Sequence, residues 1–521
     1  MESLTSRSTL QATSSTAVPG RALPIGVIAA YALLGLAGGL SSAATLLFVV
    51  AAVLAVGIVG NPESLGRAIL ILAIVVPGAL WRPRFSVLDV KVDALLMLPV
   101  LAITICVVYA ALDRKTHLRR LPSAARVLLT AAAVWLACGA ALAVWGAANN
   151  GLTASLWEFE YVVMWGWCAL PALAFARGRP WDLHRTIRTL VIGSALYSLV
   201  MIMLRVAPIG VASGEAAGSG RVGFGNGELL VLMVPVALCL MASPNQRVMA
   251  RWMATLAGVL MLGALAVSQS RASIAAALLN CVLTWFAIGR RSPGEARGRV
   301  VETVFITLSV LVFVGALLFL ANVSRVQELP AQLAERFSTI TSDGQDMTLL
   351  VRQYTTAAAF ARWRADAGSV TVGHGLGTLL TVYSPYGKPA LVGLFVDNVW
   401  AILAVKGGLL ALIPFGGLIA VIFGNFVHAA RRALLPIDKR VWRTLVVSYP
   451  LFLVSGTLFT AHLYATPAVV LAVCTLAAMA ALEFGAVASA GAGLERAALV
   501  MHERSAQDAP PRAQFASPDG S

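Results

Sequence analysis

The chain has 521 residues, 59% of them hydrophobic and 12% charged, with a net charge of +15. Soluble domains carry roughly a quarter charged residues, so this chain has about half the polar surface a water-soluble protein would need. Its basic residues are scattered over short loops with no stripe or aromatic-interleaved patch, which excludes nucleic acid as the reason for the charge.

The apolar runs are long and continuous, which in a bilayer selects helices over an alternating barrel. Hydropathy predicts an all-α, polytopic bundle of about 14 spans. The first eleven run over residues 23–40, 43–60, 66–80, 92–112, 124–147, 161–176, 188–204, 228–242, 252–267, 272–288 and 301–321. After a long gap come 398–426, 441–461 and 464–484. The chain therefore divides into a polar N-tail (1–22), spans 1–11 (23–322), a large loop between spans 11 and 12 (323–396), spans 12–14 (397–486) and a C-tail (487–521). Both tails have the Ser/Thr- or Ala/Gly/Pro-rich composition of disordered segments.

Charge orients the bundle. With the N-terminus in the cytoplasm, the inner side receives 26 of the 39 Lys and Arg and the outer side 12, while Lys406 falls within a span. The clusters Arg114/Lys115/Arg119/Arg120, Arg177/Arg179/Arg185/Arg188, Arg290/Arg291/Arg297/Arg299 and Arg431/Arg432/Lys439/Arg440 all land inside. This is the positive-inside rule, and it places both termini in the cytoplasm and the large loop outside. The six cysteines all fall in expected spans, which points to packing rather than a disulfide framework, and no metal-ligand spacing is present.

Chemistry is concentrated outside. A loop of 74 residues between spans is usually functional or carries its own elements. Here Met347, Leu350, Val351, Tyr354, Ala358 and Ala361 recur at helical spacing, predicting an amphipathic helix on the membrane surface or capping the bundle. Arginines outside the membrane oppose the inside bias. Guanidinium forks bind phosphate bidentately at any working pH, so Arg221, Arg271, Arg352 and Arg336 are candidates for holding an anionic diphosphate. Arg325, Arg362 and Arg364 fit better as anchors that snorkel to headgroups or pair with acids on the outer side. Asp397, where the loop re-enters the membrane, suits a general base and equally an N-cap. His374, in Gly373-His374-Gly375-Leu376-Gly377, is the second candidate base on this side. Lys406 is a functional candidate by its depth alone, or else a snorkelling side chain.

The segments GRVGFGNGELL, SQSRASIAAALL, the loop with Arg336, Arg352 and VGHGLGT, and DNVWAILAVKGGLLALI follow one another between Arg221 and Leu412. In this order they resemble the O-antigen ligase and Wzy-type polysaccharide polymerase family of membrane glycosyltransferases. The resemblance implies a helical bundle in a bacterial plasma membrane that moves a glycan from a polyprenyl-diphosphate carrier to a glycan or lipid acceptor. No nucleotide sugar, cofactor or metal is implied. Arg221, Arg271 and Arg352 would hold the diphosphate. Ligases of the family place His-Asn at the re-entry point, where this chain has Asp397-Asn398, a departure that favours a polymerase or another polysaccharide transferase. The rival readings are a transporter or flippase of lipid-linked glycans and a non-catalytic envelope scaffold. Prolines within spans fit transport, but no internal repeat accompanies them.

Overall fold

The computed structural model describes residues 54, 55, 57, 60–75, 84–87, 90–93, 97–112, 121–206, 226–242, 248–268, 270–289, 347–383, 389–393, 398–458 and 466–483. Helices dominate. In chain order they are α1 (Pro62–Val75), α2 (Met97–Leu112), α3 (Ser123–Asn150), α4 (Leu152–Met164) and α5 (Ala169–Ala176), then α6 (Leu183–Val206), α7 (Gly227–Met241), α8 (Arg251–Ser268) and α9 (Arg271–Gly289). Beyond them come α10 (Met347–Trp363), α11 (Ala367–Val372), α12 (Val399–Arg432), α13 (Pro436–Leu458) and α14 (Pro467–Glu483). Two antiparallel hairpins add to the expected all-α architecture: β1 (Arg84–Val87) with β2 (Val90–Asp93), and β3 (Leu380–Tyr383) with β4 (Pro389–Gly393). Neither was visible to a hydropathy reading, since each strand is only four or five residues long.

Among the described residues six helices are long and apolar enough to cross a membrane: Ser123–Asn150, the run Leu152–Ala176, Leu183–Met203, Arg251–Ser268, Val399–Arg432 and Pro436–Leu458. Four shorter apolar helices accompany them. Expected spans 1 and 11, and most of span 2, lie outside the described residues. Several helices present large apolar side chains outward, such as Val127, Val134 and Val144 on α3 and Leu278, Leu279, Val282 and Phe286 on α9. Such faces need a lipid or protein cover, and they are compatible with an integral membrane protein.

The interior is built around α7, where all residues from Glu228 to Ala237 are buried. It packs against α8, α9 and α13, while α12 packs against α3 and α13. Pro235 has no N–H, so the carbonyl of Val231 one turn earlier loses its helical donor. Asn280 of α9 fills the gap, its Nδ2 donating to the Val231 carbonyl (3.3 Å) and to the Ser448 carbonyl of α13 (3.2 Å). One side chain thereby ties three helices and supplies the Val231 carbonyl with the donor that Pro235 lacks. Elsewhere Trp135, Trp165 and Trp400 surround Phe415, with ring centroids 5.2, 5.2 and 5.8 Å away.

The helix ends sort into two sets. At one end His184 Nε2 lies 2.7 Å from Asp438 Oδ1, Glu63 accepts from the Asp182 amide (3.3 Å), and Arg179 donates to the Gly60 carbonyl. These contacts join the starts of α1, α6 and α13, all three in loops that the charge bias assigns to the cytoplasm. At the other end Asn226 Nδ2 donates to the carbonyls of Ala73 (3.3 Å) and Ile74 (2.9 Å) at the end of α1. Ser273 of α9 donates to Glu228 of α7 (3.2 Å). The loops that charge placed together are thus grouped in space.

Candidate functional site

The expected span 12 is a helix with a break. Gly408 has φ +53° and ψ −146°, values that interrupt α12 about half a turn after Lys406. A break of this kind takes the usual donors away from the carbonyls of the preceding turn. The segment Gly373–Gly377 supplies replacements: the His374 amide donates to the Val405 carbonyl (2.8 Å) and the Gly375 amide to the Lys406 carbonyl (2.8 Å). The next amide, Leu376, donates to Leu142 of α3 (3.2 Å). Three successive backbone groups therefore stitch this loop between α3 and the broken α12.

Glycine is required for that approach. At Gly375, φ is +87° and an added Cβ would lie 2.5 Å from the Gly146 Cα and 2.6 Å from its nitrogen. Both contacts are with helix backbone, which cannot swing aside. The loop continues under Asn150, the last residue of α3, whose Nδ2 donates to the carbonyls of His374 (2.9 Å) and Leu376 (3.1 Å) and to Thr378 Oγ1 (2.9 Å).

Beneath the loop lies an ion pair. Lys406 Nζ contacts Glu158 Oε1, and the other carboxylate oxygen accepts from the Gly377 amide. Lys406 is 1% and Glu158 0% exposed, so both charges are removed from water and each depends on the other. The sequence reading began span 6 at residue 161 and left Glu158 in an outer loop. The structure corrects this: the helix begins at Leu152 and carries Glu158 into the bundle. Glu158 and Glu160 depress the hydropathy there, although Trp157, Phe159 and Tyr161 interleave with them. The signal that could have found Glu158 was Lys406 itself, because a lysine within a span calls for a partner.

His374 is half-buried, and its Nε2 has no hydrogen-bond partner among the described residues. The carboxylate of Asp366 lies within electrostatic reach of it. Asp366 is the N-cap of α11, accepting from the Ser369 amide and hydroxyl at 2.7 Å each. Those hydrogen bonds hold its carboxyl below the usual carboxylate range, with the His374 charge a lesser contribution.

The expected amphipathic helix is present as α10, Met347–Trp363, and it packs on α12. It carries Arg352, which is half-buried. Arg362 donates to the Leu379 carbonyl (3.0 Å), and the Arg364 guanidinium lies 5.9 Å from the Trp363 ring centroid. Both contacts are local, and neither is with an acidic side chain. Arg271 is the first residue of α9, flanked by Ser270 and Ser273, whose hydroxyls lie 2.8 Å apart. Arg221, Arg336 and Asp397 lie outside the described residues. The N-cap of α12 is Asn398, whose side chain accepts from the Ala401 amide (3.0 Å), so the capping role that Asp397 could have filled is already taken. Among the described residues no three His, Cys, Asp or Glu side chains gather as metal ligands would.

No protein-family model matches the chain, and no curated protein matches it. The fold and site define a helical protein compatible with membrane integration, with a glycine loop and a buried ion pair locked around a broken helix.

Proposed function

We propose that the protein is a membrane glycosyltransferase of the O-antigen ligase or Wzy-type polymerase kind. It transfers a glycan from a polyprenyl-diphosphate carrier to an acceptor hydroxyl on the outer face of a bacterial plasma membrane. The observation that carries this reading is the loop Gly373–Gly377, anchored in the break of α12 with an unpartnered ring nitrogen on His374. A rigid backbone holding a buried, unpartnered imidazole nitrogen suits a proton acceptor once the acceptor hydroxyl reaches it. The ordered segments from Arg221 to Leu412 and the charge asymmetry of the loops support the same reading.

In this mechanism the acceptor oxygen attacks the anomeric carbon as its proton passes to a base. The anomeric carbon–oxygen bond to the diphosphate breaks, and its electron pair leaves with the carrier. A single displacement inverts the anomeric configuration. Arg352, with Arg221, Arg271 and Arg336, offsets the charge that builds on the leaving diphosphate, usually the largest catalytic contribution. His374 and Asp397 are the two candidate bases. Asn398 relieves Asp397 of capping, and the anchored loop favours His374.

A second reading has its own observation. Buried charges beside a broken helix are characteristic of transporters, and the Lys406–Glu158 pair fits a flippase for lipid-linked glycans. Reconstitution with a polyprenyl-diphosphate glycan and an acceptor separates the two. Transferase activity releases carrier diphosphate only when acceptor is present, and His374→Asn lowers that rate about a hundredfold in a folded protein if His374 is the base. Should Asp397→Asn cause that loss instead, the base is Asp397. Carrier that crosses the bilayer without losing its glycan refutes the transferase reading.

A further inference from the structure

The ion pair and the glycine loop share more contacts than a packing device needs. Glu158 uses one carboxylate oxygen for Lys406 and the other for the Gly377 amide. Lys406 carries the ammonium of that pair on its side chain, and its own backbone carbonyl accepts from Gly375. Asn150 closes the loop from above through the His374 and Leu376 carbonyls. His374 therefore sits between two fixed points. Its amide is held by α12, through Val405, and its carbonyl is held by α3, through Asn150.

We propose that Glu158, Lys406 and Asn150 are positioning residues that clamp the loop Gly373–Gly377 and set the place of the His374 imidazole. The clamp rests on the proposed role of His374 as proton acceptor, which it deepens by naming what holds the base. None of the three residues reaches the reacting atoms. Each acts on backbone: Asn150 donates to carbonyls, Glu158 accepts an amide, and Lys406 neutralises Glu158 so that the carboxylate is tolerated there. Charge on Glu158 strengthens its hydrogen bond to the Gly377 amide beyond what a neutral side chain gives.

The clamp separates from ordinary stability by where its loss is felt. Asn150 ends α3 and is only half-buried, so Asn150→Ala leaves the bundle interior intact. Glu158→Gln keeps an amide acceptor but leaves the Lys406 ammonium buried without its counter-charge. Lys406→Met leaves Glu158 buried without its counter-charge. Combining Glu158→Gln with Lys406→Met removes both charges, and neutral pairs of similar volume are often tolerated where a lone charge is not.

Amide hydrogen exchange of the full-length protein in lipid nanodiscs tests the clamp. Peptides spanning 373–378 are compared with peptides from α13 in wild type, Asn150→Ala and the double variant. The expected result is exchange about tenfold faster at 373–378 in Asn150→Ala and in the double variant, with α13 unchanged. The pH profile of transfer is the second readout, because a displaced base alters the shape of the acid limb, whereas loss of folded protein lowers the rate equally at every pH. Unchanged exchange at 373–378 in every folded variant overturns the clamp, as does an equal rise in α13. Faster loop exchange with an unaltered pH profile overturns the positioning of His374. Absence of transfer by the wild type counts against the proposed activity alone, since the exchange comparison decides the clamp without it.

Discussion

Replacing Gly375 by alanine tests whether the loop is truly seated between α3 and α12. Two costs add. At φ +87° a side chain occupies the left-handed region, which costs about 1–2 kcal/mol for an L-residue. The new methyl would also meet the backbone of Gly146 at 2.5 and 2.6 Å, and overpacking of this kind costs about 1–3 kcal/mol. The sum is roughly 2–5 kcal/mol, comparable with the three backbone hydrogen bonds that seat the loop at about 1 kcal/mol each. The cheapest escape is for the loop to leave its site rather than for the bundle to unfold. Gly417→Ala is the control, because Gly417 lies on the same helix as the break with nothing within 4 Å of an added Cβ. Thermal denaturation followed by size exclusion, together with hydrogen exchange at 373–378, reads both effects. Gly375→Ala should lose loop protection and transfer activity, while Gly417→Ala matches wild type or is slightly stabilised. If the two variants behave alike, the glycine loop does not occupy this cleft.

Asn280→Leu should cost about 1–3 kcal/mol, because it strips the Val231 and Ser448 carbonyls of a buried donor. Adding Pro235→Ala restores a helical N–H for Val231, so the double variant should recover part of the loss in detergent denaturation; no recovery refutes that account. The α11 cap should be sensitive to acid. The Asp366 carboxyl is held low in the folded protein, so its contribution is complete above the ordinary carboxylate pKa and is lost as pH falls through the depressed folded value. Hydrogen exchange or proteolysis at 367–372 should therefore rise only in strong acid. In Asp366→Asn, which caps without titrating, that rise should vanish.

Much of the architecture was legible because it follows from one-dimensional signals. Continuous apolar length marked α3, α8 and α9 closely, while α6 and α13 begin five residues before their expected spans and α12 ends six after; helical spacing from Met347 marked α10 inside a polar loop. Alternation of the expected spans puts the starts of α1, α6 and α13 on one side, and the structure brings them into contact. Hydropathy failed where polar residues serve the interior: it starts span 6 too late because Glu158 and Glu160 read as loop residues, although Lys406 neutralises Glu158 inside the bundle. The hairpins escaped because two four-residue strands that pair with each other are too short to leave a hydropathy signal.

The candidate site divides in the same way. His374, the glycines around it and Lys406 were each conspicuous in the sequence, the first two as a loop and the last as a charge at an improbable depth. Sequence alone determined that these residues were unusual and on which side the loop should lie, because residue type and charge bias act locally. Tertiary structure alone decided that they form one unit. Glu158 meets Lys406 across 248 positions and Asn150 reaches the His374 carbonyl across 224. Such pairings come from satisfying the backbone freed at Gly408 and the charge buried beside it, and both needs arise only once helices have packed.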